Sequence, residues 1–415
     1  MQLPSRIPTP SIKLNMKIGR RAGADIVGLD IQPGFVAAVK ARINGSILVE
    51  HAAATTLPAD VVRDGEVMDQ DVLSEALREL FGESKLNKRV RVGVANQRTV
   101  LRTLELPPVS DPKELAAAVT FQAQDQVPMP LSNAVLDFHP LGVVDTPAGP
   151  RQRVVLVAAQ RDMVERLLAA VRRAGLTPEG VDLSAFALIR SLYRADPEQS
   201  ARVLYLNVDG LTNLAIAEGK VCHFTRVVGS GLEGMAGELA ERRGIALTEA
   251  RELLAGADLT VPAPTPMPVV QEPVEAPAEP QAEHEGVAGE LGEEEHVETP
   301  EESGEQDYQS FAVEPQAASD SEVATVLEGG IREISGEVRN SLDFHRSQDG
   351  GGDVSHVVLS GSAQDIPGFA EALQASLGLE VRGETIGLTD EHSADHVSAH
   401  RLAVATGLAT SEAPQ

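Results

Sequence analysis

The chain has 415 residues, 42% of them hydrophobic, enough for two globular domains and too many for a single small module. Its 62 acidic residues against 35 basic ones leave a net charge of −27, a sign that repels phosphate backbones, so nucleic acid is not an expected partner. The excess is uneven: residues 261–320 hold sixteen Asp or Glu and no Lys or Arg, which leaves 46 acids against 35 bases elsewhere.

Residues 1–24 carry Arg6, Lys13, Lys17, Arg20 and Arg21 and no acid, without the continuous apolar stretch of a signal peptide. They read as a solvated basic leader or as a weak contact for an anionic membrane surface. The next segment, 25–54, has the pattern strand, Pro33-Gly34 turn, strand, strand. Residues 69–82 space Leu73, Leu77, Leu80 and Phe81 on one helical face, with Gly82 at the end. A strand at 89–95 precedes a helix at 112–126 that has Asp111 as N-cap, Pro112 at the first position and Glu114 completing a capping box. A strand pair at 134–144 and 151–160 and a helix at 161–175 follow, an order that fits a small α+β insertion.

The first meander then recurs. Residues 203–228 read strand, Asp209-Gly210 turn, strand, Gly219, strand, which points to a duplicated domain. Helices are expected at 230–244 and at 248–254, the latter capped by Thr248. Residues 256–321 have nine prolines between 262 and 315 and few large apolar side chains, too little burial to offset chain entropy, so they read as a disordered acidic insertion. A helix near 322–346, a strand, Gly-containing turn and helix over 354–378, and a short apolar helix at 401–409 complete the chain.

Catalytic motifs are sparse. Cys222 cannot form an internal disulfide and reads as a buried small hydrophobe in a reducing compartment. SGSAQ at 360–364 lacks the GxSxG elbow of hydrolases. His392, His396 and His400, with Asp395, have helical spacing for a metal but sit in a segment that reads partly as loop, and Asp349 to Asp353 lack the ligands of a calcium loop. No stretch has the roughly 18 consecutive apolar residues of a membrane span, so a soluble cytoplasmic protein is expected.

Four segments in order, 106–142, 224–254, 333–347 and 357–369, resemble the PilM family, the cytoplasmic actin-like proteins of type IV pilus assembly related to the division protein FtsA. The resemblance implies an α/β actin-like ATPase fold with two ribonuclease H-like lobes. Residues 25–195 would be the first lobe, with an inserted subdomain at about 90–160, and 196–255 plus 322–410 the second. It also implies an ATP and Mg²⁺ cleft formed by Asp30, Gln32 and Gly34 in one turn, Asn207, Asp209, Gly210, Thr212 and Asn213 at another, Gly361 and Ser362 near the adenine, and Glu238 and Arg242 on the flanking helix, with Asp30 and Asp209 holding the metal through water. The sequence departs from that pattern. The family's DIGSSS is replaced by Asp30-Ile31-Gln32-Pro33-Gly34-Phe35, its DIG by Asn207-Val208-Asp209, and its Gly-Gly by Gly361-Ser362. Pro33 has no N–H to offer a phosphate, and Asp209 adds a negative charge unless a metal offsets it. The resemblance therefore implies at most weak ATPase activity. Its implied partners are the N-terminal tail of an inner-membrane PilN-type protein, other pilus alignment and motor components, and a second copy of the chain, with peripheral attachment to the cytoplasmic membrane. An FtsA-like division protein, or an active ATPase of the actin, heat-shock and sugar-kinase superfamily, is the alternative.

Overall fold

The computed structural model describes residues 26–44, 46–194, 201–261, 315–348, 350–389 and 397–410. The basic leader, the stretch 262–314, Asp349, His392, Asp395 and His396 lie outside the described residues.

In chain order, β1 (Val27–Gln32), β2 (Phe35–Asn44) and β3 (Ser46–Thr56) form the first meander, followed by the hairpin β4 (Val62–Arg63) and β5 (Glu66–Val67), α1 (Gln70–Glu83) and β6 (Arg89–Val94). Then come β7 (Val100–Leu106), α2 (Pro112–Gln126), β8 (Ala134–Thr146), β9 (Gly149–Gln160), α3 (Arg161–Arg173), β10 (Thr177–Leu183) and α4 (Ser184–Leu192). The second meander is β11 (Arg202–Val208), β12 (Thr212–Glu218) and β13 (Val221–Val228). It leads into α5 (Leu232–Arg243), α6 (Leu247–Ala255), α7 (Pro315–Ser347), β14 (Val354–Ser360), α8 (Phe369–Leu377), β15 (Val381–Gly383), β16 (Gly387–Leu388) and α9 (Ala403–Ala409).

Two large sheets result, ordered β10-β6-β1-β2-β3-β16 and β13-β12-β11-β14-β15, together with a three-stranded sheet β7-β9-β8. Period-2 alternation assigns each face. On β11, Leu204, Leu206 and Val208 enter the core beneath α5, α7 and α8, while Tyr205 joins the core shared with the first lobe. Strand β9 does the same between lobe and insertion: Val155, Val157 and Ala159 face the first lobe, whereas Val154, Leu156 and Ala158 face α2. Both sides of β9 are therefore buried, which explains its run of apolar residues without polar alternation.

Several expectations need correction. Residues 89–94, assigned to the insertion, pair in parallel with β1 and β10 in the large sheet, so the inserted sheet starts at Val100. The C-terminal segment, assigned to the second lobe, returns to the first: β16 pairs with β3, and Leu402 to Leu408 enter the first lobe's core. Parallel pairing between distant segments leaves no local signature, which is why neither appears in the hydropathy pattern. Thr248 lies inside α6 rather than capping it, because the helix starts at Leu247 after Ala246. Helix α1 runs past Gly82 to Glu83. Helix α7 begins at Pro315, earlier than its apolar stripe, with proline at a favoured first position. The stretch read as disordered from 256 is anchored at its fourth residue, where the Leu259 N–H donates to the Pro367 carbonyl at 2.8 Å.

Helix α9 is held by close packing and by arginines. A Cβ on Gly28 of β1 would lie 1.8 Å from the Ala405 carbonyl oxygen, and one on Gly407 would lie 1.9 Å from that of Ala187 in α4. The carbonyls at the end of α9 are satisfied from β6 and α4: Arg91 donates to Leu408 and Thr410 at 3.0 and 2.8 Å, and Arg190 donates to Gly407 at 3.1 Å while pairing with buried Asp182. Gly28→Ala is expected to lower the unfolding free energy by about 3 kcal/mol, since backbone must move to admit the methyl group. Gly234→Ala, on α5 with nothing within 4 Å, should change it by less than about 1 kcal/mol. Urea midpoints of the two variants check the contrast.

Candidate functional site

The ends of the two meanders meet. In the first lobe Gln32 pairs with Phe35 across the Pro33-Gly34 turn, and in the second Val208 pairs with Thr212 across Asp209-Gly210-Leu211. The turns touch: a Cβ on Gly210 would lie 2.3 Å from the Pro33 carbonyl oxygen, so only glycine permits this approach. The Asp209 main chain is fixed on both sides, its N–H donating to the Leu211 carbonyl at 3.0 Å and its carbonyl accepting from the Leu232 N–H, at the start of α5, at 2.8 Å.

The Asp209 carboxylate is buried, with 1% exposure, and fully engaged. Its Oδ1 accepts from the Ser362 hydroxyl at 2.8 Å and from Arg401 Nη2 and Nε at 2.8 and 3.0 Å. The Arg401 guanidinium also lies 3.5 Å over the centroid of the Phe35 ring. Arg401 sits in a 3₁₀ turn, Ala399–Leu402, that the second lobe grips by its main chain: the His400 carbonyl accepts from the Gly361 N–H at 3.0 Å and the Ser360 hydroxyl at 3.1 Å. His400 Nδ1 contacts Asp365 at 2.6 Å, and Ser398 donates to the same oxygen at 2.8 Å.

Asp30 is equally buried. Gln32 Nε2 donates to its Oδ2 at 2.7 Å. Burial pushes its carboxyl up to about 7; the Asp209 charge adds to the rise, while the Gln32 hydrogen bond and the Arg401 charge oppose it. Gln32 Oε1 is buried without a hydrogen-bond partner, and so is Thr212 Oγ1, on the face of the second sheet that carries Val208 and Leu214. Asn207 and Asn213 are buried opposite one another on β11 and β12, and Asn207 also neighbours Ser360 of β14.

The structure thus gathers Asp30, Gln32, Gly34, Asn207, Asp209, Gly210, Thr212, Asn213, Gly361 and Ser362 around the junction of the lobes. Glu238 and Arg242 behave differently. They form an ion pair with each other at 2.5 Å on α5, both about half exposed. Sequence reasoning missed Arg401, and also the pair Glu233 and Arg251 that lies against Gly34. Arg251 Nε donates to Glu233 Oε2 at 2.9 Å and Nη1 donates to the Leu57 carbonyl of the first lobe at 3.2 Å. The one available signal was the unmatched Asp209, which demanded a cation from somewhere in the fold. Cys222 is buried, and burial pushes its thiol up to about 12, which leaves it unreactive at neutral pH.

A second concavity, of about 670 Å³, opens between the inserted sheet and the second lobe. Leu101, Arg102 and Val144 line one wall; His223, Phe224 and His345 line the other. Strands β7 and β13, which flank it, are each at the edge of their sheet. His345 is 3% exposed, yet both of its ring nitrogens lack a hydrogen-bond partner. Phe224 packs beside it with ring centroids 6.1 Å apart.

Comparison with known proteins places this geometry. The family described as type IV pilus assembly protein PilM matches residues 28–258. A solved PilM-PilN type IV pilus biogenesis complex contains a chain that is 20% identical, with a TM-score of 0.67 over 93% of this chain and 97% of that one. The ethanolamine utilization protein EutJ from Carboxydothermus hydrogenoformans is 14% identical, with a TM-score of 0.47 over 95% and 93%. An MreB protein of Spiroplasma citri bound to AMPPNP is 12% identical, with a TM-score of 0.44 over 92% and 94%. The fold is the actin-like one.

His345 supplies a pH test. Burial first, then the charges of Arg202 and His223, hold its pKa below the ordinary 6.5, so the unfolded chain takes up the proton that the folded chain refuses. Its contribution to stability is complete above pH 6.5 and is lost as pH falls below it. His345→Phe is expected to flatten the decline of the urea midpoint between about pH 7.5 and 5.5 and to raise the midpoint at the acid end. His223 shares the direction of shift, so the decline should shrink rather than vanish.

Proposed function

The chain belongs to the PilM family of type IV pilus assembly proteins, and we propose that it is a non-catalytic, actin-like scaffold holding the N-terminal tail of a PilN-type inner-membrane protein in the groove between the inserted sheet and the second lobe. The groove carries this reading. Two sheet edges, β7 and β13, flank it, and an edge strand presents main-chain donors and acceptors to which an extended peptide can add. Leu101, Val144 and Phe224 offer apolar anchors, and Arg102 donates to the Leu101 carbonyl without a carboxylate partner among the described residues. The PilN of the similar solved complex supports the choice of partner. No helix of the described residues is long and apolar enough to cross a membrane, so attachment at the inner face of the membrane would run through the bound tail.

ATP and Mg²⁺, which an actin-like cleft implies, do not fit the arrangement at the turns. The Pro33 carbonyl fills the approach to Gly210, and Arg401 already neutralises the Asp209 carboxylate that would hold a metal. The proposed role therefore runs through the groove, and no phosphate chemistry is assigned to the cleft.

A synthetic PilN-type N-terminal peptide titrated by calorimetry tests the reading. Val144→Arg, which fills the groove, is expected to weaken binding by about tenfold or more. Phe121→Ser, on the outer face of α2 where Phe121 is 70% exposed, should leave it unchanged. Loss of binding in Phe121→Ser alone would move the seat to α2, and absence of binding to the unsubstituted chain would refute the scaffold role.

A further inference from the structure

The cleft's departures from the family pattern are coupled. Asp209 stands where the family has glycine, Phe35 where it has a small hydroxyl residue, and both lie against one side chain, the Arg401 guanidinium. A buried carboxylate needs a counter-charge, a guanidinium needs donors satisfied and a face covered, and these two replacements supply both needs. Ser362, standing in place of a second glycine, completes the set by donating to the same Asp209 oxygen. Three apparent losses thus form one contact.

We propose that Arg401 is a built-in substitute for the divalent cation of an actin-like cleft, and that removing it turns the junction into a site for a hard divalent ion. The inference concerns the cleft and does not rest on the tail-binding reading. The surrounding oxygens are those such an ion takes. Asp209 is buried and paired with Arg401, Asp30 is buried beside it, and Gln32 Oε1 is buried and unpartnered. An unpartnered buried oxygen is uncommon, and Gln32 Oε1 belongs to the side chain whose Nε2 already binds Asp30. The side chain also does what a bridging ion does between lobes. It is carried on the segment that leads into α9, which docks on the first sheet, it stacks on Phe35 of the first lobe, and it grips Asp209 of the second.

Arg401→Ala strands the Asp209 charge, and that charge can be met again from solution. Thermal unfolding followed from zero to about 10 mM Mg²⁺ is expected to rise by roughly 5 °C in Arg401→Ala and to stay flat in the unsubstituted chain, which needs no ion. The double variant Asp209→Asn/Arg401→Ala removes both charges and should fold without responding to Mg²⁺. Titration with Mn²⁺ read by electron paramagnetic resonance is expected to give one site in Arg401→Ala, at least about tenfold tighter than in the other two proteins. The proposal is overturned if folded Arg401→Ala shows no divalent response, if the double variant binds Mn²⁺ equally well, or if the unsubstituted chain shows the same Mg²⁺ shift. It is also overturned if Arg401→Ala stays unfolded with and without Mg²⁺ while the double variant folds.

Discussion

A carboxylate sealed between two sheets must have a cation beside it, and the lobes of this protein are arranged around that requirement. Asp209 is almost wholly inaccessible, and Arg401 reaches it from a segment 192 positions away. Taking away one partner of such a pair costs about 3–5 kcal/mol, because the remaining charge is left in a poorly polarisable surrounding. The attraction itself contributes less, since desolvation of both groups offsets much of it. What the pair chiefly provides is position: an arginine with two nitrogens on one carboxylate and its face on an aromatic ring has few alternative geometries.

That geometry depends on the path of the last described segment. After β15 the chain leaves the second sheet, adds β16 to the edge of the first, passes the junction as a 3₁₀ turn, and ends as α9 on β1, β2 and β6. Small residues make the docking possible. Gly28 and Gly407 let main chain approach main chain, and Arg91 and Arg190 take up the carbonyls that a seven-residue helix leaves open at its end. The C-terminal segment is therefore a strap over both lobes, with Arg401 as its buckle.

Much of the architecture was legible in the order of residues because it is local. Each meander shows alternating strands around a glycine turn, α7 shows its stripe from Val323 to Leu342, and α2 shows Asp111 accepting from the N–H groups of Lys113 and Glu114. What was illegible depends on partners distant in the chain. β6 looks like the first strand of an insertion until its parallel pairing with β1 is known. Residues 401–409 look like a free apolar helix until Gly28 receives them. At the site, Asp30, Asp209, Gly210 and Ser362 could be picked out one by one, but Phe35 and Asp209 read as damage because the residue that joins them lies in a stretch with no motif of its own. Glu238 and Arg242, picked out on one helix, pair with each other there, as their i, i+4 spacing allows.

The junction and the groove are linked by geometry. The groove has one wall on the insertion of the first lobe and the other on β13 and α7 of the second, so its width follows the angle between the lobes. Arg401 and Arg251 both cross between lobes, to Asp209 and to the Leu57 carbonyl respectively, and both resist a change in that angle. In an enzyme with this fold such rigidity would hinder the opening and closing around a ligand. In a scaffold it is an advantage, because a groove already held at its working width binds an extended segment without the entropic cost of ordering its own walls. The closed turns and the groove some way from them are therefore consistent with one constraint: the counter-charge of Asp209 is part of the chain.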